Sequence, residues 1–407
     1  MSNLFNTFTL SNGITIKNRL VKAAMSEQLT MNNQPNHYYE NLYRTWANGG
    51  AGILVTGNVM VDYTALGGEG DVVIEDERDL EMLQRWAKAG TENNTILLMQ
   101  LNHLGKQSPK DLSPEPVAPS AIPLAQHLLD FFAPPRALTE LEIKNIIDKF
   151  ANASVIAEKA GFSGVQIHAA HGYLLSQFLS PHHNQRNDQW GGSLENRARI
   201  LVEIYQAIRT SVSKTFIVAI KLNSADFQKG GFSEEESMQV IKLLSDLGVD
   251  LIEISGGNYE HPAMLNGVKE STKKREAYFL DYAEKVRKIT AIPLIVTGGF
   301  RSQAAMESAL QSNQLDFVGI AKPFAIEPNF PNQLFQNSYK TISLKPIRTG
   351  IRKLDYKLGS VLEMAWFMVQ MKRIAKGKKA KPNLSVWRVF FNILLQKGLK
   401  GFRKERV

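Results

Sequence analysis

The stretch LIVTGGFRSQAAMESALQSNQLDFVGIAK, residues 294–322, contains two short apolar runs on either side of a helical pattern. The runs Leu294–Gly298 and Phe317–Ile320 have the length of strands and are nearly continuously apolar, as is typical of parallel strands buried on both faces. Between them, the spacing of apolar residues predicts a helix over Ser302–Ser312. The stretch therefore predicts a strand–helix–strand unit with two parallel strands.

The same alternation extends back through the chain. Six further strand-length runs lie at Leu20–Ala24, Gly52–Thr56, Ile96–Leu101, Gly164–His168, Ile217–Leu222 and Leu251–Ser255. Further helices are predicted over Leu80–Ala89, Glu140–Ala160, Ser193–Ser211, Ser233–Leu247 and Asp281–Thr290. Alternation repeated eight times favours an α/β fold in which a parallel sheet closes into a TIM (β/α)8 barrel, and an open doubly wound sheet is the alternative.

Two connections have predicted places on such a barrel. Ser11, Asn12 and Gly13 separate two apolar runs within 7–16, so this segment is predicted to be a hairpin that plugs the bottom of the barrel. The Pro-rich connection 105–135 is predicted to lie over the top, and loops of that length in a compact domain are usually functional.

Charge separates two predicted domains, a barrel over 1–340 and a basic extension over 341–407. The 407-residue chain has a net charge of +9, yet residues 341–407 contain 17 Lys and Arg against 3 Asp and Glu. The body is therefore slightly acidic, unlike a uniformly basic nucleic-acid-binding protein, and no nucleic-acid partner is expected.

Several classes of protein are excluded by composition. The chain has no Cys, which rules out a disulfide framework, a thiolate zinc site, a Cys-ligated iron–sulfur cluster and a Cys nucleophile. Residues 1–13 lack the pattern of a signal peptide, and no run reaches ~18 uninterrupted apolar residues, so no membrane-spanning helix is expected. The expected location is the cytoplasm, with peripheral attachment to the inner face of a membrane as an alternative.

The basic extension is predicted to form two amphipathic helices, over Asp355–Ala375 and Ser385–Phe402. The first interpretation is that these helices pack on the barrel or on a second subunit of a homo-oligomer. A second interpretation places the basic helices on an anionic membrane surface.

Polar residues and glycines follow the predicted strands, at the barrel end where active sites form. Two histidines and a tyrosine, His168, His171 and Tyr173, follow the fourth run and suit polarising a substrate oxygen and donating a proton. A metal pair and a pair of hydrogen-bonded core histidines are the alternatives, and no metal site is predicted. Gly298, Gly299 and Lys322 match a phosphate site made by the last two strand-to-helix loops, and a tight turn is the alternative explanation of the two glycines.

A longer motif carries a resemblance to a known family. The run HAAHGYLLSQFLSP at 168–181, followed by NQRND at 184–188 and GGSLENRAR at 191–199, resembles the Old Yellow Enzyme family of FMN-dependent oxidoreductases. The similarity extends from Phe8 to about Pro331. It implies a flavin-binding (β/α)8 barrel with FMN as cofactor and NADH or NADPH as co-substrate. The implied reaction is reduction of the activated C=C bond of an enone-type small molecule.

The resemblance also implies where the flavin ring would lie. Four consecutive residues would line it largely through their backbone: Ala23, Ala24, Met25 and Ser26. Gly57 would leave room for the flavin, and Gln100 would bind its pyrimidine edge, because an amide both donates and accepts hydrogen bonds. Lys221 stands where the family usually has Arg, and its charge would stabilise the negative charge of the reduced ring.

The remaining implied roles concern the phosphate and the substrate. The phosphate would be held by Gly298, Gly299, Ala321 and Lys322. Ala321 and Lys322 replace the more usual Gly-Arg pair, and Lys supplies a point charge without the bidentate fork of Arg. His168 and His171 would bind the substrate carbonyl oxygen, and Tyr173 would donate the proton.

Other functions are compatible with parts of this pattern. An FMN-barrel tRNA dihydrouridine synthase would need a Cys proton donor, and a dienoyl-CoA reductase would need Cys for its iron–sulfur cluster, so the absence of Cys disfavours both. The alternative from a different class is a barrel with little or no flavin chemistry that acts as a membrane-attached binding module.

Overall fold

The computed structural model of the chain describes residues 2–258, 260 and 276–397. Its strands are β1 (Phe8–Thr9), β2 (Thr15–Ile16), β3 (Leu20–Lys22), β4 (Ile53–Met60), β5 (Val72–Val73), β6 (Ile96–Asn102), β7 (Val117–Ala118), β8 (Arg136–Ala137), β9 (Gly164–Ala169), β10 (Ile217–Asn223), β11 (Leu251–Ser255), β12 (Leu294–Thr297) and β13 (Phe317–Ile320). Its α-helices in the described residues are α1 (His37–Asn48), α2 (Leu80–Gly90), α3 (Glu140–Ala160), α4 (Leu174–Leu179), α5 (Leu194–Ser211), α6 (Glu234–Asp246), α7 (Leu280–Arg287), α8 (Gln303–Gln311), α9 (Phe330–Phe335), α10 (Arg352–Ala375) and α11 (Val386–Lys397).

Eight of the strands form a closed parallel barrel. They pair in the order β3, β4, β6, β9, β10, β11, β12 and β13, and β13 pairs back with β3 through Val318 opposite Leu20. This closure confirms the predicted (β/α)8 barrel and excludes the open sheet. All eight predicted runs form strands. The second strand, β4, is longer than its predicted run and ends at Met60.

The predicted helices are all present, with small differences at their ends. Helix α3 has the predicted bounds and begins with a capping box, in which the Thr139 hydroxyl and the Glu142 carboxylate each accept from the other residue's backbone. The structure adds α1 and the short helices α4 and α9, which were not predicted from the sequence. The side chain of Asn36 caps α1, and Leu42 and Trp46 lie on its buried face.

The N-terminal hairpin fills the bottom of the barrel. Strands β1 and β2 pair in antiparallel fashion, and Leu10 and Ile16 pack with the barrel residues Ile53, Leu98 and Phe317. All five side chains are buried. The predicted plug is therefore confirmed.

The connection 105–135 covers part of the top of the barrel. Leu124, Leu128 and Phe132 of this loop form an apolar cluster with Leu104 and with Tyr173, which is 1% exposed. The loop therefore buries one of the predicted catalytic residues.

The C-terminal extension is helical and packs on the barrel domain. The Asn41 side chain of α1 donates to the carbonyl of Ala375 at 3.2 Å, and Trp366 and Phe367 of α10 belong to the main apolar core. Helix α11 packs against α10 through Val386. Residues 398–402 of the second predicted helix lie outside the described residues. Among those described, no helix combines the length and the apolar character needed to cross a membrane.

Candidate active site

The turn after β9 brings His168, His171 and Tyr173 together, as predicted. The ring centres of His168 and His171 are 5.0 Å apart, and those of His168 and Tyr173 are 4.8 Å apart. The histidines are 3% and 8% exposed. His171 and Gly172 both adopt positive φ, +64° and +76°, which folds the chain back and directs the three rings to one place.

Hydrogen bonds orient both histidine rings. The backbone N–H of Ala170 donates to Nδ1 of His168 at 3.2 Å, so the proton of a neutral His168 ring lies on Nε2. Nε2 of His171 lies 2.7 Å from the hydroxyl of Ser255 at the end of β11. The backbone N–H of His171 donates to the side chain of Asn223 on β10 at 3.1 Å. Neighbouring strands therefore hold this turn in one conformation.

A row of buried polar side chains crosses the barrel beside the histidines. Lys221 lies opposite His168 in the β9–β10 register, and its ammonium is 3.1 Å from a carboxylate oxygen of Glu253. The other oxygen of Glu253 accepts from Gln166 at 2.8 Å, and Gln166 accepts from Gln100 at 2.7 Å. The row joins two predicted flavin ligands, Gln100 and Lys221, through two residues that the sequence analysis did not single out.

A second buried ion pair lies near the predicted flavin-lining segment. The Lys22 ammonium is 3.3 Å from Glu27 and donates to the carbonyl of Val55 at 2.8 Å. The hydroxyl of Tyr43 donates to the same carboxylate at 2.6 Å, and burial raises the pKa of Tyr43. Burial lowers the pKa of Lys22, and the charge of Glu27 opposes this effect.

The four residues between Lys22 and Glu27 are the predicted flavin-lining residues. Ala23, Met25 and Ser26 are buried, and Ala24 is half-buried. The N–H of Ala23 donates to the carbonyl of Ile320 at 2.8 Å, which ties this segment to the last strand.

Gly57 has a local reason to lack a side chain. Its N–H is 3.1 Å from each oxygen of Glu27, and a Cβ at this position would lie 2.1 Å from that carboxylate. The space beside Gly57 therefore holds Glu27. The predicted contact of Gly57 with the flavin stays a prediction.

The predicted phosphate residues line one cavity of about 1260 Å³. Gly298 and Gly299 adopt φ of +136° and +88°, and a Cβ on Gly299 would lie 2.9 Å from the Tyr278 ring. The Thr297 hydroxyl, 6% exposed as a residue, lines this cavity and has no hydrogen-bond partner among the described residues. Backbone turns, an unpartnered hydroxyl and the ammonium of Lys322 fit a phosphate group.

Together, these residues fit a flavin nucleotide. The polar row supplies amide groups and a buried cation. The glycine turn Gly298-Gly299 follows β12, and Ala321 and Lys322 follow β13. FMN would be held by the row at its ring and by the cavity at its phosphate.

His103 anchors the start of a loop. Its Nδ1 accepts from the backbone N–H of Gly105 at 3.1 Å, at the start of the loop that covers Tyr173. Burial lowers the pKa of His103 to about 4, and the nearby carboxylate of Asp62 only partly opposes this effect. The ring is therefore neutral at pH 7.

Among the described residues, one cluster of side chains has the ligand types needed to bind a metal ion. His168 and His171 do not belong to it. The ligand atoms of His182, His183 and Glu260 lie within 4.8 Å of one another. The ammonium of Lys106, however, is 2.9 Å from Nδ1 of His183, and burial lowers the pKa of Lys106 to about 8. The neighbouring positive charge disfavours a cation there.

Glu27, Gln166 and Glu253 were missed by the sequence analysis. Gln166 and Glu253 are polar positions with apolar neighbours on both sides, in strands β9 and β11. A buried charge in a strand of this kind requires a partner, so this signal was available in the sequence. The sequence does not show which residue is the partner, since Lys221 and Glu253 come from different strands.

Comparison with known proteins gives a consistent result. The profile of the NADH:flavin oxidoreductase / NADH oxidase family matches residues 3–341. The NADH-dependent flavin oxidoreductase nadA of Aspergillus parasiticus is 38% identical over 382 residues, covering 90% of this chain and 83% of that protein. The NADH-dependent flavin oxidoreductase iccE of Talaromyces variabilis is 37% identical over 413 residues, covering 92% and 98%. A third relative, iliE of Neonectria sp., is 39% identical over 79% of this chain, which spans 46% of that protein's length.

The matches to nadA and iccE are too long to fit within residues 1–341. The similarity to these two proteins therefore includes part of the C-terminal extension.

Solved structures agree with the sequence comparisons. A 2-naphthoyl-CoA reductase in complex with 2-naphthoyl-CoA has a TM-score of 0.76 at 28% identity, covering 82% of this chain and 52% of that chain. The Old Yellow Enzyme homologue of Zymomonas mobilis has a TM-score of 0.70 at 26% identity, covering 83% and 94%. Morphinone reductase shares the fold with a TM-score of 0.71. The resemblance stated from the motifs is confirmed.

Proposed function

We propose a reaction for this chain, which belongs to the NADH:flavin oxidoreductase / NADH oxidase family. It reduces the activated C=C bond of small α,β-unsaturated carbonyl compounds. The chain is an oxidoreductase that uses FMN with NADH or NADPH. When bound, FMN supplies hydride transfer from the nicotinamide to the β-carbon of the substrate. The observation that carries the proposal is the cluster of His168, His171 and Tyr173 at the end of β9.

The two histidines would bind the carbonyl oxygen of the substrate. His168 can donate from Nε2, because its Nδ1 already accepts from the backbone of Ala170. We assign Ser255 as the donor to Nε2 of His171, which places the proton of that neutral ring on Nδ1. Two donors fixed by neighbouring strands would then stabilise the negative charge that develops on the carbonyl oxygen.

Tyr173 would donate a proton to the α-carbon. A phenol is a weak acid with a pKa near 10, so it can donate at neutral pH only to a strongly basic carbon centre such as a developing carbanion. Its ring lies against His168 and is covered by Leu128 and Phe132 of the loop 105–135, which would keep bulk water from the proton-transfer step.

Lys221 would stabilise the reduced form of the cofactor. Its ammonium is buried and lies beside Glu253, which balances its charge inside the barrel. A fixed positive charge in a site of low dielectric constant stabilises a nearby negative charge more strongly than it would in water. Glu253, held by Gln166, would fix the position of the ammonium.

The test is a matched panel of substrates under anaerobic conditions. The bound flavin is first reduced with NADH or NADPH and then mixed with 2-cyclohexenone, with cyclohexanone or with cyclohexene. We expect only the enone to reoxidise the flavin, with cyclohexanone as the product. If none of the three reoxidises the flavin and dioxygen does, the proposal is wrong and the activity is that of an NADH oxidase.

A further inference from the structure

The C-terminal extension forms one wall of the cavity that contains the proposed phosphate site. The barrel side of this cavity includes Gly298, Gly299, Ala321 and Lys322. The opposite side is formed by residues between 341 and 367, at the start of the extension and along α10. At about 1260 Å³ the cavity is much larger than a phosphate group, so the extension leaves an opening beside the site.

Direct contacts join α10 to the proposed phosphate ligand. The ammonium of Lys322 donates to the carboxylate of Glu363 at 2.6 Å and lies 5.5 Å from the centre of the Phe367 ring. Phe367 is 6% exposed and belongs to the main apolar core, so this part of α10 is fixed against the barrel. The charge of Lys322 is therefore partly neutralised by Glu363, and a phosphate would have to compete for it.

Two arginines of the extension line the same cavity and have no comparable partner. Among the described residues, Arg348 and Arg352 form no hydrogen bond or ion pair. Asp355 attracts Arg348, but its carboxylate already accepts from Thr349 and from the N–H of Gly350, at 2.7 and 3.1 Å. These bonds fix the turn that precedes α10, and so they hold Arg348 and Arg352 at the cavity wall.

An independent observation indicates that the cavity receives a ligand. The hydroxyl of Thr297 is buried, lines the cavity and has no hydrogen-bond partner among the residues that the structure describes. A buried hydroxyl without a partner costs free energy unless a ligand or water satisfies it. A phosphate oxygen would satisfy it and would also attract the two arginines.

We infer that the C-terminal extension is the outer wall of the FMN phosphate site, where Arg348 and Arg352 attract the phosphate and Glu363 competes with it for Lys322. This inference rests on the phosphate position proposed above. It gives the site two guanidinium groups, which bind phosphate with the fork that Lys322 lacks. It also assigns a role to a segment that lies beyond the matched family profile.

The test compares FMN with riboflavin, which lacks the phosphate, on protein from which the flavin has been removed. Dissociation constants are measured by quenching of flavin fluorescence. In the double variant R348Q/R352Q, we expect FMN to bind about tenfold more weakly or worse, since hydrogen bonds to charged groups contribute about 1.5–3 kcal/mol and 1.4 kcal/mol is tenfold. Riboflavin should bind as it does to the wild-type protein, which also shows that the variant is folded.

The matched control is Lys353→Gln. Lys353 is the residue after Arg352, is exposed and does not line the cavity, so its substitution removes a charge from the same segment. We expect no change for FMN or riboflavin. Equal weakening of FMN binding by K353Q and by the double variant would overturn the inference in favour of a general charge effect.

Glu363→Gln should change the affinity in the opposite direction. Removal of the competing carboxylate leaves Lys322 to the phosphate, so the preference for FMN over riboflavin should rise about threefold, a modest effect because the pair is partly exposed. If neither the arginine nor the Glu363 substitutions change that preference, the inference is wrong. If the wild-type protein itself binds riboflavin as well as FMN, the proposed phosphate position is wrong instead.

Discussion

The two ends of the barrel are built from opposite kinds of residues. At the bottom, Leu10 and Ile16 of the hairpin close an interior of apolar side chains such as Leu98 and Phe317. At the top, Lys221 and two other buried strand residues, Gln166 and Glu253, occupy the equivalent interior positions. Burial of apolar surface stabilises a fold, whereas burial of charges costs free energy unless each is paired.

This difference separates stability from chemistry within one sheet. The bottom end needs only shape and apolar volume, while the top end holds charges and hydrogen-bond donors in fixed positions at a cost in stability. Substitutions at the bottom should therefore lower the free energy of unfolding without changing the reaction, whereas substitution of Tyr173 at the top should slow the reaction.

The largest expected effect is on the reaction, from Tyr173→Phe at the top. We expect alkene reduction to slow by ~10²–10⁴-fold, because a positioned general acid contributes that much to a proton-transfer step. Reduction of the flavin by NADH or NADPH should stay nearly unchanged, since that half-reaction needs no proton from Tyr173. Stopped-flow absorbance measures the two half-reactions separately.

The removed hydroxyl is the only change in this variant, so the ring should still pack against His168 and Phe132. Equal slowing of both half-reactions would point to a displaced flavin rather than to a lost proton donor. Unchanged alkene reduction would mean that another group supplies the proton.

At the bottom, Leu10→Ala should lower the free energy of unfolding by about 2–5 kcal/mol, the range for a buried leucine that leaves a cavity. Leu10 is 3% exposed within the plug. The folded fraction should keep the flavin content and both half-reaction rates of the wild type. Denaturant unfolding and flavin quantification measure the two properties.

Thr9→Ala is the control on the same hairpin, because Thr9 is exposed and its hydroxyl lies 3.0 Å from the hydroxyl of Thr15, which is exposed as well. Its substitution should have little effect on stability. A loss of alkene reduction in folded Leu10→Ala protein would contradict the separation of the two ends.

Much of the barrel could be predicted from the sequence, because parallel strands buried on both faces are short, nearly continuous apolar runs. The cluster of candidate catalytic residues could be predicted because His168, His171 and Tyr173 lie within one turn. Helix α1 was missed although its signals were present: Asn36 precedes it, and Leu42 and Trp46 share one helical face.

The contacts between distant segments could not be predicted. Glu253 and Lys221 meet only because β10 and β11 pair in one register, and Glu363 reaches Lys322 only because α10 packs beside the last strand-to-helix loop. Amphipathic patterns show that a helix has an apolar face, but not which surface covers it. The basic extension therefore allowed both a membrane and a barrel interpretation, and the structure shows α10 packed on the barrel.

The top end should also make stability depend on pH, through His103. The pKa of its ring is about 4 in the folded chain and ~6.5 in the unfolded chain. Between these two pKa values the unfolded chain binds a proton that the folded chain does not. The contribution of neutral His103 to the free energy of unfolding is therefore fully present above pH ~6.5 and is lost as the pH falls towards 4. The loss should be about 3 kcal/mol.

Unfolding by denaturant at pH 7 and pH 4 measures this effect. His103→Gln should lose about 3 kcal/mol less than the wild type over that range, while Leu10→Ala should keep the wild-type pH dependence. Equal losses in His103→Gln and the wild type would show that the proton binds elsewhere.

The smallest expected effect sharpens the roles of the two histidines. A phenol places its oxygen where the proposed carbonyl oxygen would lie, so it reports on His168 and His171 without a reaction. His168→Ala and His171→Ala should each weaken phenol binding by about 1.5–3 kcal/mol, the contribution of a hydrogen bond to a charged oxygen.

Ser255→Ala should weaken it less, because Ser255 only orients His171 through the 2.7 Å bond to Nε2. Titration of the flavin absorbance with phenol measures all three. If His171→Ala changes nothing while His168→Ala does, a single histidine binds the oxygen and His171 serves the turn alone.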